Sequence, residues 1–457
     1  MCKKVLSFTI CFLLFVASQS FGDDIESRLK AFEETLRTQG ETIKEQQKII
    51  QELKAKLDVT KKEVATQAEL TKSEAQALAE KTPAEDKSWK FTGLFGGSNL
   101  ANPNISLVLD TFGYYSNIKQ RELPKRGIPG LTNEGLTNSK GFNIDSAELG
   151  LYAPIDPYFN LYATIPITED GIELEEAYFL TTSLPYGLQV KGGKFKSGFG
   201  RINGQHKHVW DFADLPLVYR AFIEGEGITE KGVQLTYLPE LPFYTLLGIE
   251  VLQGENATLF GPDARSGPHA FTAFAKSSLD IGDNSTILFG PSVITGSTRT
   301  TTVADNTEFQ GTSTLFDWEM TCKWKPSKTQ SFTLQSEYLY RDQKGDLTNT
   351  VTSLSGPLKR AQDGFYIQSM YQLDRWRIGV RYDRLDLFKK DFILSGTQNN
   401  FGSNPWRATA AVDFNPSEFS RLRLQYNYDR SAGGNRVNNE VFLEAIFGIG
   451  AHGAHAF

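Results

Sequence analysis

Arginine recurs at alternate positions in several segments near the C-terminus of this sequence of 457 residues. Arg421 and Arg423, for example, flank a leucine in the segment RLRLQYNYDR. Residues two apart on a β-strand project to the same face, so each such pair presents two permanent positive charges side by side. Rows of this kind favour anions in the confines of a pore. The basic set consists of Arg375, Arg377, Arg381, Arg407, Arg421 and Arg423.

A second group of residues whose side chains could bind a ligand lies in QHKHVWDFAD, residues 205–214. His206 and His208 are two residues apart and could share a metal ion if acids such as Asp211 or Asp214 joined them. The same spacing suits side chains that only line a constriction. We predict the second arrangement, with no metal site and no cofactor.

Catalytic motifs are not found in this sequence. FGPSV and GPLKR do not contain the Gly-x-Ser-x-Gly nucleophile elbow. Glycine-containing runs such as TFGYY lack the phosphate-loop pattern. We therefore expect no enzymatic activity and no catalytic residues, and the predicted partners do not include nucleic acid.

The segment RLRLQYNYDR, residues 421–430, alternates in polarity. Leu422 and Leu424 fall on one face of a strand with two tyrosines, and the arginines fall on the other face. In a soluble sandwich the leucines would face a protein core. In a membrane barrel they would face lipid, and the arginines would face a wet lumen. The alternation by itself leaves both interpretations open.

The N-terminus, residues 1–22, has the layout of a secretory signal peptide. Lys3 and Lys4 precede an apolar run at residues 5–17, and small residues follow before Asp23. An anchor helix is less favoured, because this run is shorter than the ~20 residues that a membrane-spanning helix needs. Export would leave Cys322 as the remaining cysteine, which excludes an intrachain disulfide.

Residues 23–80 predict a periplasmic coiled coil, followed by a linker at residues 81–88. Apolar residues recur every seven positions in a segment rich in Glu, Lys, Gln and Ala. Four of the six companion positions, three residues further on, are polar, which suggests more than two strands. A solvated, partly helical spacer is the alternative. The heptad positions are Leu29, Leu36, Ile43, Ile50, Leu57 and Val64.

Residues 89–457 contain connections of two kinds, which predict a barrel of about 16 antiparallel strands. Seven short turns alternate with eight longer polar connections, as in outer-membrane barrels with short periplasmic turns and long extracellular loops. The short turns lie at 154–158, 183–187, 238–243, 280–284, 325–328, 373–375 and 416–419. The longer connections lie at 117–140, 168–172, 198–226, 256–267, 298–312, 345–358, 389–403 and 431–438. The segment 172–184 does not alternate cleanly.

Residues 193–222 and the strand EKGVQLTY that follows resemble the phosphate-selective porin O and P family. That family carries a Gly-Lys-Phe strand, a Gly/Pro-Phe-Gly turn, a long loop and a Gly-Val-Gln-like strand. The hairpin at residues 147–165 resembles the preceding hairpin of the family. The resemblance implies a trimeric porin of 16 strands with loop 198–226 folded into the lumen. The residues that carry it are Gly193, Lys194, Phe195, Phe199, Gly200, Gly232 and Val233.

The stretch QHKHVWDF instead resembles barrel proteins often labelled as zinc-regulated, TonB-dependent receptors. The chain has no room for a plug domain together with a 22-stranded barrel, which argues against active transport.

We therefore expect an all-β transmembrane barrel in the bacterial outer membrane, a homotrimeric porin that passes small polar or anionic solutes. Its expected contacts are outer-membrane lipid and, through the coiled coil, peptidoglycan. Two alternatives are a structural tether between the outer membrane and the cell wall, and a metal-binding receptor.

Two sets of residues are predicted to control this pore. The arginines either line a wet passage or simply pair with aspartates, and the residues alone leave this open. The predicted pore-lining residues are the basic set together with Lys323, Asp317, Glu319 and Glu337. The predicted constriction residues are Arg201, His206, Lys207, His208, Asp211, Asp214 and Arg220.

Overall fold

The computed structural model describes a closed antiparallel β-barrel, in residues 103–132, 135, 138–223, 225, 227–402, 404–432 and 436–450. Within these ranges no helix is both long enough and apolar enough to cross a membrane. The predicted signal peptide, coiled coil and linker lie outside the described residues and stay predictions.

Sixteen strands of the described residues form the barrel wall, and two further two-residue strands, β4 and β15, lie in loops. The first nine strands are β1 Asn104–Ser116, β2 Gly141–Pro154, β3 Phe159–Thr168, β4 Gly171–Ile172, β5 Glu176–Thr181, β6 Leu188–Lys196, β7 Thr229–Tyr237, β8 Tyr244–Leu252 and β9 Ala270–Ile281. The others are β10 Ser285–Thr300, β11 Thr307–Trp324, β12 Gln330–Asn349, β13 Ser355–Leu373, β14 Trp376–Leu394, β15 Thr397–Gln398, β16 Trp406–Ser417, β17 Ser420–Asp429 and β18 Asn438–Gly450. The α-helix α1 spans Leu217–Phe222.

Pairing between the first and last strands closes the barrel. Strand β1 pairs with β2 on one side and with β18 on the other, from Ser106 opposite Gly450 to Ser116 opposite Glu440. Closure leaves no strand edge with unpaired backbone groups. The predicted count of about 16 strands is confirmed.

The connections are sorted by length, as predicted. Those at one end, which we call the short-turn end, have two to six residues, whereas the longest at the other end spans residues 197–228. Three predicted loops are shorter than expected, because β10–β14 extend into them and leave 301–306, 350–354 and 395–405. These strands continue although their side chains are polar on both faces, because backbone pairing continues along the whole of each hairpin.

Strand β5 is short, and this accounts for the irregular alternation at residues 172–184. Glu175 and Glu176 are consecutive in the sequence, yet both are buried. A regular strand would send neighbouring side chains to opposite faces. The backbone is irregular at residues 173–175 and pairs again from Glu176 onward, which brings both carboxylates to one side.

The two faces of the wall differ in polarity, as β17 shows. Leu422 and Leu424 are half exposed on the outer surface, whereas Arg423 and Gln425 are buried inside the barrel. The same alternation places Ile378 and Val380 of β14 outside. Arg421 and Arg423 therefore lie on the interior side of the wall, opposite the leucines.

We predict that the folded protein resists SDS at room temperature and migrates differently after boiling, because a closed barrel has no edge from which unfolding can start. Leu443→Pro should lower the temperature of this transition, since Leu443 lies in β18 between Gly113 and Leu424 and proline removes a ladder hydrogen bond. Leu443→Ile is the matched control. Identical migration of heated and unheated wild-type protein on a gel would contradict barrel closure.

Candidate functional site: the lumen and its inward-folded segment

Residues 197–228, which we call the plug, connect β6 to β7, and those of them that the structure describes, 197–223, 225, 227 and 228, fold into the barrel interior. Phe199, Leu217 and Phe222 of the plug are fully buried, in one apolar cluster with the wall residues Leu339 and Leu385. Burial of apolar side chains at about 25 cal/mol per Å² stabilises this packing. The middle of the lumen is therefore occupied by packed side chains.

The start of the plug is held by Glu337 on the inner face of β12. Its carboxylate accepts hydrogen bonds from the Tyr219 hydroxyl at 2.8 Å, from the Tyr366 hydroxyl at 2.5 Å and from the backbone N–H of Arg201. Gly200 has a φ of +64°, and a Cβ there would lie 2.4 Å from the Tyr219 hydroxyl and 2.8 Å from Glu337. Glycine is therefore required for this close passage.

Two further predicted lumen acids lie beside this contact. Lys276 Nζ donates to the Gly200 carbonyl at 2.7 Å and to Glu319 Oε2 at 3.1 Å. The Ser292 hydroxyl donates to Asp317 Oδ2 at 3.3 Å. All three acids face the interior. Glu337 contacts the plug directly, Glu319 contacts it through Lys276, and Asp317 contacts it through Ser292, whose hydroxyl accepts from the Gly200 N–H at 3.0 Å.

Asp214 attaches the plug to the barrel wall through four hydrogen bonds. Its carboxylate accepts hydrogen bonds from Arg381 at 2.6 Å, Arg407 at 2.7 Å, Gln425 at 2.8 Å and Asn427 at 2.9 Å. These donors lie on β14, β16 and β17, so one plug carboxylate joins three neighbouring strands. Charge-assisted bonds of this kind are about twice as strong as neutral ones.

The charges of this contact stay fixed at neutral pH. Burial would by itself raise the pKa of Asp214, but the guanidinium groups of Arg407 and Arg381 outweigh burial and lower the pKa to about 2. Burial likewise opposes ionisation of Asp211, and Arg377 lowers its pKa below the usual value. Both plug aspartates are therefore negatively charged at neutral pH.

Other arginines of the basic set also contact the plug. Arg377 forms an ion pair with Asp211, and Arg423 donates to the Trp210 carbonyl at 3.0 Å. Arg421 donates to the same carbonyl at 3.2 Å. These arginines bind the plug backbone and its acids. Of the two interpretations, a wet passage or pairing with aspartates, pairing describes their contacts.

Two large cavities remain beside the packed middle, and we call them the first and second vestibules. The first has a volume of about 800 Å³ and is lined by Lys191, Lys196, Glu176 and other residues. The second has a volume of about 780 Å³ and is lined in part by Asp374, which lies in the short connection between β13 and β14. The second vestibule therefore reaches the short-turn end of the barrel.

The second vestibule carries more positive than negative charge. Five basic residues face three acidic ones, which gives a formal excess of two positive charges. Arg375 lies in the turn before β14 and not on a strand as predicted, because the hairpin needs two residues and Asp374 there adopts a φ of +52°. The basic residues are Arg201, Lys323, Arg375, Arg377 and Arg421, and the acidic ones are Asp211, Asp374 and Glu418.

The two histidines of the plug lie in a cluster of glutamates. His206 Nδ1 is 3.4 Å from Glu175 Oε2 and 3.6 Å from Glu148 Oε2, and His206 Nε2 is 3.0 Å from Glu176 Oε2. His208 Nδ1 is 3.3 Å from the same Glu148 oxygen. The sequence suggestion that Asp211 or Asp214 joins the histidines is wrong, because arginines of the wall bind those two aspartates.

The glutamates of this cluster and His206 change one another's pKa. Burial would lower the pKa of His206, but hydrogen bonds with Glu175 and Glu176 outweigh it and raise the pKa to about 10. Burial would raise the pKa of Glu175, and His206 and Lys196 instead lower it to about 2. One ligand atom from each of Glu148, Glu175 and His206 lies within 4.8 Å of the others, a spacing that could hold a cation.

The two remaining predicted constriction residues, Lys207 and Arg220, also belong to the plug. Lys207 forms an ion pair with Asp145, and Arg220 is half buried on α1. Sequence reasoning missed Glu175 and Glu176 as site residues. The broken alternation at 172–184 was the signal that could have found them, because two adjacent inward acids cannot lie on one regular strand.

In the described residues the protein is a closed barrel of 16 strands, and the plug between β6 and β7 lies inside it. A protein of Aquifex aeolicus (strain VF5) described as an "Uncharacterized protein" is 41% identical over 380 residues, which cover 78% of this chain and 80% of that protein. The chain belongs to the family of this Aquifex protein. No family model matches the chain, so its resemblance to the phosphate-selective porins stays a prediction.

Several solved barrels are similar in structure at low sequence identity. The channel DcaP of Acinetobacter baumannii has a TM-score of 0.46 at 12% identity, covering 76% of this chain and 97% of that chain. The anion-selective porin from Comamonas acidovorans has a TM-score of 0.47 at 9% identity, covering 76% and 99%. The barrel architecture rests on the strand pairing described above and not on these similarities.

Proposed function

We propose that the protein is an outer-membrane porin through which small hydrophilic solutes diffuse passively. The observation that carries the proposal is a closed barrel with an apolar outer surface and a charged interior. Closure satisfies the strand backbone without water, which a protein in hydrocarbon requires. An inward row of arginine and glutamine opposite lipid-facing leucine is the pattern of a transmembrane barrel.

The plug restricts the size of the solutes in this proposal. Packed side chains such as Phe199 and Leu217 occupy the middle of the lumen, and the vestibules provide polar space beside them, towards the short-turn end. Solutes cross where small movements of the plug open a path from the vestibules to the other end of the barrel. We therefore propose a low-conductance pore for small solutes and not a wide general channel.

An anion preference is the finer part of the proposal. The second vestibule has two more positive than negative charges, and a low-dielectric wall strengthens their field. Phosphate as a particular solute would need a site built for it, so the proposal names small anions as a class.

The assembly is proposed from the sequence patterns. We propose a homotrimer, with residues 23–80 as a periplasmic coiled coil that contacts peptidoglycan, because the heptad seam needs a surface to bury it. The proposal gives the protein no catalytic role.

Single-channel recording of the full-length protein in planar lipid bilayers tests the proposal. We expect discrete conductance steps from the heat-modifiable, folded protein and none from the same preparation after boiling. A salt gradient should shift the reversal potential in the direction of anion preference. Folded protein that inserts into liposomes and passes neither ions nor small sugars would contradict a porin function.

A further inference from the structure

We propose that His206, His208, Glu148 and Glu175 form a binding site for one divalent transition-metal ion of the zinc class. The site lies where the plug meets the barrel wall, so the ion would join plug to wall. This inference goes beyond passive diffusion, and it does not depend on the porin proposal being correct.

Three separations between the ligand atoms match those of a tetrahedral metal site. With metal–ligand bonds of roughly 2.0–2.2 Å, two ligand atoms of a tetrahedron are about 3.3–3.6 Å apart. His206 Nδ1 lies 3.4 Å from Glu175 Oε2 and 3.6 Å from Glu148 Oε2. His208 Nδ1 lies 3.3 Å from the same Glu148 oxygen, and the two imidazole rings are stacked with centroids 5.8 Å apart. Glu148, Glu175 and His206 thus converge on one point, and His208 approaches them at the Glu148 oxygen.

Outer contacts orient two of these ligands. His206 Nε2 lies 3.0 Å from Glu176 Oε2, so the second ring nitrogen has a carboxylate partner while Nδ1 faces the other glutamates. Metal-bound histidines commonly have this carboxylate contact, which fixes the ring and increases its basicity. Lys196 Nζ is 2.6 Å from Glu175 Oε1, which leaves Oε2 directed at the histidine.

The local charge and space also suit a cation. Three carboxylates, Glu148, Glu175 and Glu176, meet one lysine, Lys196, so the cluster has an excess of negative charge before the histidines are counted. An adjoining cavity of about 10 Å³ is lined by residues that include Glu148, Glu175 and His208. That is roughly the space of one water molecule, which could complete the coordination.

An entry path exists from the first vestibule. Glu148, Glu176 and His206 are all among its lining residues, and its volume of about 800 Å³ admits a hydrated ion. The four side chains keep only 8–15% of their surface exposed, so the ion would be largely enclosed once bound.

The mixed donor set selects the class of metal. Two imidazoles with two carboxylates suit zinc, whereas calcium and magnesium take mainly oxygen ligands and higher coordination numbers. The ligands come from β2, from the 173–175 connection and from the plug, so no two-residue motif in the sequence identifies the site.

The test uses the full-length protein in detergent, stripped with a chelator and then titrated with Zn²⁺ or Co²⁺. We expect one Zn²⁺ per chain that survives gel filtration, and the intense visible bands of four-coordinate Co²⁺. His206→Gln and Glu175→Gln should each weaken Zn²⁺ binding at least about 100-fold, since loss of an outer partner alone costs roughly 10–100-fold. His269→Gln, at a buried histidine outside the plug, should bind as the wild type does.

The wild-type measurement decides the question even where a variant does not fold, and heat-modifiable migration shows which variants fold. A weak six-coordinate Co²⁺ spectrum, or Zn²⁺ that is lost on gel filtration, would overturn the proposal. Equal Zn²⁺ affinity of wild type and folded His206→Gln would overturn it as well, because the ion would then be bound elsewhere.

Discussion

Replacing Asp214 with asparagine is expected to release the plug from the barrel wall and to raise the mean conductance several-fold, with larger current noise. Asp214 is the shared acceptor for Arg381 and Arg407, and asparagine removes its charge at nearly equal volume. Breaking a buried ion pair costs about 3–5 kcal/mol, and the lower end applies because 17% of the Asp214 side chain is exposed. About 3 kcal/mol changes the ratio of seated to released plug roughly 100-fold.

Trypsin provides an independent measurement of plug release. Cleavage after Arg201 or Arg220 requires the plug to leave the lumen, so wild-type protein should resist and Asp214→Asn should yield the corresponding fragments. Asp170→Asn, which removes a carboxylate from an exposed loop, is the matched control. Unchanged conductance and unchanged trypsin resistance in Asp214→Asn would show that the apolar packing alone holds the plug.

The second prediction concerns the second vestibule. Replacing Lys323 and Arg375 with glutamate should change its formal charge from an excess of two positive charges to an excess of two negative charges. The ratio of anion to cation permeability should then fall several-fold. The effect should be largest at low salt, where the Debye length of ~30 Å at 0.01 M leaves the field of the wall unscreened.

Reversal potentials in a salt gradient measure this ratio. The control is Lys389→Glu with Lys390→Glu, which makes the same charge change at exposed positions towards the other end of β14. If both double variants have the same permeability ratio at 0.01 M salt, the second vestibule does not determine the ion selectivity.

The arginines of the basic set divide into two groups that alternation could not separate. Arg381, Arg407 and Arg423 keep 1% of their side-chain surface exposed and pair with carboxylates. Their replacement removes a partner from buried acids and so affects stability. Arg375 is exposed in a turn, and its replacement leaves the plug contacts intact.

Much of the fold was predictable from the sequence because its signals are local. Side chains alternate with a period of two along each strand, so the positions of Leu422 and Arg423 indicate opposite faces without knowledge of the rest of the chain. The order of short and long connections predicted the sixteen strands in the same way. The extent of β10–β14 was underestimated, since polar hairpins beyond the barrel rim have no apolar face to mark them.

The sequence by itself determined a barrel with a polar interior, a basic inner face and a long segment that contains two histidines and two aspartates. Only the tertiary structure decided which groups meet. Asp214 contacts Arg381 across 167 positions of sequence, and Ala213 contacts Gln425 across 212. Such pairs depend on the inward path of the plug, which is stabilised by apolar packing against several strands at once. For the same reason the histidines meet Glu148 and Glu175, while the nearby aspartates bind the arginines of the wall.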